Sequence, residues 1–122
     1  MDALLAVPSV APGGLDAPVS AHFGHCDAFT LVGLRDGRIE KTMVMQAPDH
    51  SEGGCMVPVN LLAAHGVTAI AAGGMGQRPL LGFLQVGIQP YFAGDRATVK
   101  DVVSAFVTGG LQHFGENACC GH

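Results

Sequence analysis

Val67-Thr68-Ala69-Ile70-Ala71-Ala72-Gly73-Gly74-Met75-Gly76 is the stretch that decides the fold. Its first six residues form a continuous apolar run with no polar alternation, the pattern of a central strand covered on both faces. Four residues of glycine and methionine follow, and then a helical period from about Pro79 to Gln85. A buried strand, a glycine turn and a helix make the beginning of a crossover unit, so the spacing predicts a parallel sheet.

Working outward, Ile88 to Phe92 reads as a further strand. The helix after it carries Val99, Val102, Val103 and Phe106 on one face and ends at Gly109. Upstream, Val59, Leu62 and Ala63 recur at helical spacing up to Gly66. Pro58 fits only the first turn, so that helix starts near Cys55. Ala28 to Leu34 and Ile39 to Met45 are β-rich runs joined by Arg35-Asp36-Gly37-Arg38, whose Asp-Gly pair suits a tight hairpin. Met1 to Val7 reads as a first strand, with Pro8, Pro12, Gly13, Gly14 and Pro18 predicting an irregular segment after it. The expected fold is a three-layer α/β domain: a mixed sheet of about five strands, an antiparallel hairpin at one edge and helices on both faces. Residues 1–122 make a single domain, with 1–110 as the folded core and 111–122 as a flexible tail.

Composition narrows the function. A formal charge of -4, with six Lys and Arg against ten Asp and Glu, supplies no basic stripe for phosphates, so nucleic acid is not an expected partner. The apolar runs fall short of a bilayer's thickness and the N-terminus has no basic region ahead of them, which predicts no membrane and a cytoplasmic location. Four cysteines and six histidines in such a compartment point to metal or redox chemistry rather than disulfides.

Three groups of soft or borderline ligands stand out: His22, His25 and Cys26; His50 and Cys55; Cys119, Cys120 and His122. All lie in predicted loops or in the tail. Thiolate and imidazole favour copper, zinc, iron or molybdenum sulfides over magnesium or calcium. The spacing fits no standard zinc site, since no Cys-x-x-Cys pair is present. Cys26 and Cys55 read equally well as small buried residues, His65 as a helix cap, Met45 and Met56 as core filling, and the terminal Cys-Cys-Gly-His as a frayed end. The turn Gly73 to Gly76 opens a helix, so its amide groups and the helix dipole can hold an anion, with Arg78 beside it and Met75 within it. The turn departs from the dinucleotide fingerprint, having no spaced third glycine in the helix.

Taken in order, Ser20-Ala21-His22-Phe23-Gly24-His25-Cys26 with Phe29, His50 with Gly53 and Gly54, Gly73-Gly74-Met75-Gly76, Gly87-Ile88 with Tyr91, and the closing Cys-Gly-His resemble the dinitrogenase iron-molybdenum cofactor family over nearly the whole chain. That family includes nitrogenase cofactor carriers and the small orange protein of sulfate-reducing bacteria. The resemblance implies a ribonuclease H-like fold and the non-catalytic binding, carriage or storage of a preformed sulfide cluster. A molybdenum-copper or iron-molybdenum type is implied, with a protein client that donates or receives it. It assigns the family's Ser-x-x-Phe-Gly loop to Ser20, Phe23 and Gly24, the histidine-glycine loop to His50, Gly53 and Gly54, and the glycine turn to Gly73, Gly74 and Gly76. Met75, Gln77 and Arg78 depart from the family's usual turn. A cluster that brings its own sulfide can be gripped by amide dipoles, an arginine and a soft wall, so direct protein ligands are optional. Two other readings stand beside it: a thiol or redox enzyme using Cys119 and Cys120, and a regulatory domain binding a small anion at the glycine turn. Nuclease chemistry is not expected, because Asp2 and Glu40 are the only carboxylates in the predicted strands.

Overall fold

A computed structural model describes residues 2–20, 26–46, 56–74, 77–94 and 96–113. Six strands and three helices follow one another as β1 (Ala3–Ser9), β2 (Ala28–Arg35), β3 (Arg38–Gln46), α1 (Met56–Ala64), β4 (Ala69–Ala72), α2 (Gln77–Gln85), β5 (Gln89–Phe92), α3 (Val99–Val107) and β6 (Gln112–His113). The strands form one mixed sheet in the order β3-β2-β1-β4-β5-β6. β1, β4 and β5 run parallel, while β2, β3 and β6 are antiparallel to their neighbours.

Alternation along the strands divides the apolar side chains between two cores. Ala6, Phe29, Leu31, Ile70 and Ala72 pack with Val59 and Leu62 of α1 and with Leu80 and Phe83 of α2. Leu5, Val7, Val32, Leu34, Ala69 and Ala71 pack on the opposite face with Val99, Val102, Val103 and Phe106 of α3. Helices therefore cover both faces, as a run without polar alternation in β4 requires. The N-terminus of α3 is capped by Thr98, whose hydroxyl oxygen accepts from the Asp101 amide at 3.3 Å, which satisfies one of the four orphan donors of a helix start. The hairpin is where the Asp-Gly pair predicts it. Asp36 and Gly37 have φ of 54° and 76°, the two positive values that a tight turn matched to the strand twist demands.

Three details differ from the sequence expectation. β1 does not stop before Pro8 but runs on to Ser9. β4 pairs with β1 only at Leu5 and Ala6, so the side on which Pro8 lacks an amide proton has no β4 ladder to interrupt. The sheet has six strands rather than about five, because the chain after α3 turns back to add β6. Leu111, placed in the expected tail, is buried, and Gln112 and His113 pair with Phe92 and Tyr91. Two residues carry too little periodicity to announce a strand. Among the described residues, no helix is long and apolar enough to cross a membrane.

Candidate functional site

Strand direction brings to one rim the described strand ends from which the ligand-bearing segments depart. β1, β4 and β5 are parallel and end there at Ser9, Ala72 and Phe92; the registers Ser9↔Ala28 and Ala28↔Gln46 bring the start of β2 and the end of β3 to the same level. The segments that leave this rim are 10–27, 47–55, 73–76 and 93–98. The first three hold five of the eight residues singled out as metal ligands, together with the glycine turn. This is the carboxyl end of the parallel strands, where open α/β sheets place their ligands.

The first segment is tied down on either side of β1. The Ser20 amide donates to the Pro8 carbonyl at 2.8 Å and the Asp27 amide to the Ser9 carbonyl at 3.2 Å. Successive carbonyls of a strand point to opposite sides, so Ser20 and Asp27 flank the end of β1. The Asp27 side chain adds a further tie, its Oδ2 accepting from the Ala11 amide at 3.0 Å. Residues 10–19 are not the unstructured loop that their prolines and glycines suggest. Val19 pairs with Ser9, Pro18 with Thr98, and the Val19 amide donates to Ala97.

Beneath that segment lies a buried polar chain whose members were not among the residues singled out from the sequence. Gly14 N–H donates to Thr30 Oγ1 at 3.0 Å, Thr30 and Ser9 share a hydroxyl contact of 2.9 Å, and Ser9 Oγ donates to the Val7 carbonyl at 2.7 Å. Since the Ser9 proton goes to Val7, Thr30 is the donor between the two hydroxyls, and each group in the chain is satisfied. Ser9 and Thr30 are fully buried. Their signal in the sequence was available: each is a lone hydroxyl in an otherwise apolar strand.

Cys26 lies under the rim, buried with Phe29, Leu31 and Leu80. Burial pushes its thiol up to about 11, with the Asp27 carboxylate adding to the effect against lowering by backbone hydrogen bonds. At neutral pH this thiol is protonated and a poor nucleophile, which favours the reading of Cys26 as a small packing residue.

Gly73 and Gly74 follow directly on β4, and Gly74 is buried; Arg78 stands exposed in the first turn of α2. A second cation, not singled out from the sequence, joins them. Half-buried Arg96 donates from Nη1 to the Ala93 carbonyl at 3.1 Å. Ala93 in turn donates to Ala72 at the end of β4. That bond fixes Arg96 beside the glycine turn's strand, within one residue of the Ala97 carbonyl that holds Val19. Its position after a strand at the carboxyl rim was the usable clue. His65, expected as a helix cap, donates from Nδ1 to the Leu61 carbonyl at 2.9 Å.

His22, Phe23, Gly24, His25, His50, Gly53, Gly54, Cys55, Met75, Gly76, Cys119, Cys120 and His122 lie outside the described residues. Among the described ones, no group of three or more His, Cys, Asp or Glu is arranged to hold a metal ion. β6 runs antiparallel to β5, from Phe92 toward Tyr91, so at His113 the chain is heading away from the rim.

The architecture has solved counterparts. The apo form of the orange protein from Desulfovibrio gigas superposes with a TM-score of 0.79 over 94% of this chain and 95% of its own, at 19% identity, a likeness of fold. A Thermotoga protein solved by NMR gives a TM-score of 0.71 at 25% identity, covering 91% of this chain and 92% of its own. An uncharacterized protein of Methanocaldococcus jannaschii is 29% identical over 98 residues, 79% of this chain and 82% of the relative. The family model described as dinitrogenase iron-molybdenum cofactor matches residues 5–109, from β1 through α3, and the chain belongs to that family.

Proposed function

We propose that this protein binds and carries, in the cytoplasm, a preformed anionic molybdenum-containing sulfide cluster of the Mo-Cu-S or Fe-Mo-S type, performing no catalysis of its own and passing the cluster to a protein client. The observation that carries this reading is the common rim: Ser20 and Cys26, Gln46 and Met56, and Gly74 and Gln77 bracket the three loops rich in imidazole, sulfur and glycine. The family's name points to the same class of guest.

The chemistry suits an acidic protein that must hold an anion. Positive potential at the rim comes from the N-terminal end of α2, from Arg78 and from Arg96, with His22, His25 and His50 as protonatable additions. Amide groups at Gly73, Gly74 and Gly76 and in the Ser20–Phe23–Gly24 and Gly53–Gly54 segments supply dipoles without charge. Met75 and Cys55 offer soft contacts, while the protonated thiol of Cys26 serves as the wall beneath. A cluster saturated by its own sulfide needs shape and field more than protein ligands, so Cys119, Cys120 and His122 are dispensable for retention in this reading.

Titration of the purified metal-free protein with tetrathiomolybdate and Cu(I), or with iron, tests it. Uptake of a visible chromophore that co-elutes with the protein in fixed metal ratio is expected. Absence of any bound chromophore with either metal refutes it. Stabilisation by phosphate with no metal effect would instead support the small-anion regulatory reading, and elevated reactivity of Cys119 and Cys120 the thiol-enzyme reading.

A further inference from the structure

The chain that follows β6 starts from a fixed point. Gln112 and His113 pair with Phe92 and Tyr91, the His113 ring packs on the Tyr91 ring at 4.6 Å, and His113 Nδ1 shares a hydrogen bond of 2.9 Å with Gln89 Nε2. The sequence continues for nine residues, Phe114-Gly115-Glu116-Asn117-Ala118-Cys119-Cys120-Gly121-His122, which reach up to ~30 Å when extended. Opposed residues of a ladder share a face, so Gln112 lies on the side of Phe92, where Leu80 and Phe83 of α2 pack. The alternation of a strand carries Phe114 to that same side.

α2 leaves an apolar outer surface there. Leu81 and Leu84 are 52% and 51% exposed, with Val86 at 40% just past the helix. Beside Leu81 a shallow groove of about 460 Å³ follows the helix, lined by Gln77, Arg78, Leu81, Gly82 and Gln85. The helix starts at the rim after β4 and descends to the start of β5. Leu84 and Val86 therefore stand at its lower end, a few residues from Gln89, the partner of His113. The exposed Ile39, Met43 and Val44 lie on β3, at the opposite edge of the sheet from β6.

We infer that residues 114–122 fold back along the outer surface of α2 and set Cys119 and Cys120 beside the glycine turn. The spacings match. With Phe114 on Leu84 and Val86, Glu116 lies two residues on, ~7 Å along an extended chain. Arg78 lies six residues back from Leu84, ~9 Å along the helix, a difference that its long side chain spans. Arg78 is the only charged residue of α2 and Glu116 the only charged residue of the segment, so each meets one opposite charge. Cys119 and Cys120 then fall ~17–20 Å beyond Phe114, past Gln77 and level with Gly73 and Gly74. A small contact area suffices, because the tether holds the segment at a millimolar effective concentration. The docking needs no guest, whereas use of the two thiols as donors to one rests on the proposed function.

Disulfide mapping on the full-length, metal-free chain tests the inference. Gln77→Cys at the start of α2 and Ser104→Cys on α3, across the sheet, are each introduced with Cys55→Ser, which removes a competing thiol. Gln77 and Ser104 are both exposed, and Ser104 is a few residues ahead of β6, so an undocked segment reaches either site. After equilibration in a glutathione redox buffer, mass spectrometry reads the fraction of each new thiol joined to Cys119 or Cys120. Coupling in Gln77→Cys is expected to exceed that in Ser104→Cys at least about tenfold, the ratio of effective concentrations for a docked arm. Phe114→Ala should remove most of that preference. Arg78→Glu should reduce it about two- to threefold, as for an exposed ion pair, and Arg78→Glu combined with Glu116→Arg should restore it. Equal coupling at the two sites, a bias toward Ser104→Cys, or a preference indifferent to Phe114→Ala overturns the inference. With no metal present, each of these outcomes is read separately from the thiomolybdate titration.

Discussion

Ser20 and Asp27 hang from consecutive carbonyls of one strand, their amides bonded to Pro8 at 2.8 Å and Ser9 at 3.2 Å. In sequence these two posts bracket the segment that contains His22 and His25. Because the carboxylate of Asp27 also holds the Ala11 amide, one side chain couples the end of β1 to residues 10–19. Asp27→Ala should lower unfolding stability by about 1 kcal/mol, the worth of one exposed hydrogen bond with a charged acceptor. Asp27→Asn, which keeps an acceptor oxygen, should recover part of it. Urea denaturation of the three proteins decides the matter, and equal midpoints would show that the Asp27–Ala11 contact contributes nothing.

The buried chain from Gly14 through Thr30 and Ser9 to Val7 should behave as one unit. Thr30→Val removes the acceptor of the Gly14 amide and the donor to Ser9, and is expected to cost roughly 1–3 kcal/mol, the range for leaving a buried polar group unsatisfied. Ser9→Ala should cost a similar amount. Since each single change damages the same chain, the double variant should lose less than the sum of the two. Strict additivity in denaturant melts would mean that the hydroxyls act separately.

Cys26 ties stability to alkaline pH. Its thiol is raised from 9.0 to about 11 by burial, so between those values the unfolded chain releases the proton and the folded chain keeps it. Stability is therefore full below pH 9 and falls as pH rises toward 11, by on the order of 2 kcal/mol. In Cys26→Ala this part of the slope should vanish, leaving only the losses common to both proteins. At pH 8 the native Cys26 should also resist iodoacetamide and react after unfolding, which peptide mapping by mass spectrometry would detect. Labelling of native Cys26 at the rate of a free thiol would contradict its burial.

Arg96 should matter more to an anionic guest than Arg78. Its guanidinium is positioned by the Ala93 carbonyl and half-buried, whereas Arg78 is solvent-exposed and screened by salt. Arg96→Ala is expected to weaken retention of a thiomolybdate chromophore about tenfold, equivalent to one charge-assisted hydrogen bond of about 1.5 kcal/mol. Arg78→Ala should weaken it less, with an effect that shrinks as salt is raised. The reverse ranking in equilibrium dialysis would shift the binding field from the β5 side of the rim to the start of α2.

Much of this fold is legible in the sequence because its elements speak in strong local signals. The run Ala69 to Ala72, the turn at Asp36-Gly37 and the spacing of Val99, Val102, Val103 and Phe106 each identify an element within a few residues. What stayed hidden depends on the tertiary setting. Pro8 looks like a strand breaker until the short β1–β4 pairing shows that its missing amide proton costs no ladder bond. Residues 10–19 look irregular because their bonds go to Thr98, Ala97 and Thr30, far along the chain. β6 is too brief to have a period. The candidate site divides in the same manner. Residue type alone marked the histidines, cysteines and glycines, whereas Arg96 and the Ser9–Thr30 pair gain meaning only once β2 lies beside β1 and β4 beside β5.

The hairpin turn at Asp36-Gly37 gives the molecule a handle. It caps the opposite end of the sheet from the loops that would receive a cluster, and the Asp2 carboxylate fastens it by accepting the Asp36 amide at 3.1 Å. A fluorophore, an affinity tether or an immobilising bead attached at Arg35 or Arg38 would sit a full strand length from that rim. Loading and release could then be followed on captured protein with its receiving end turned toward the solution.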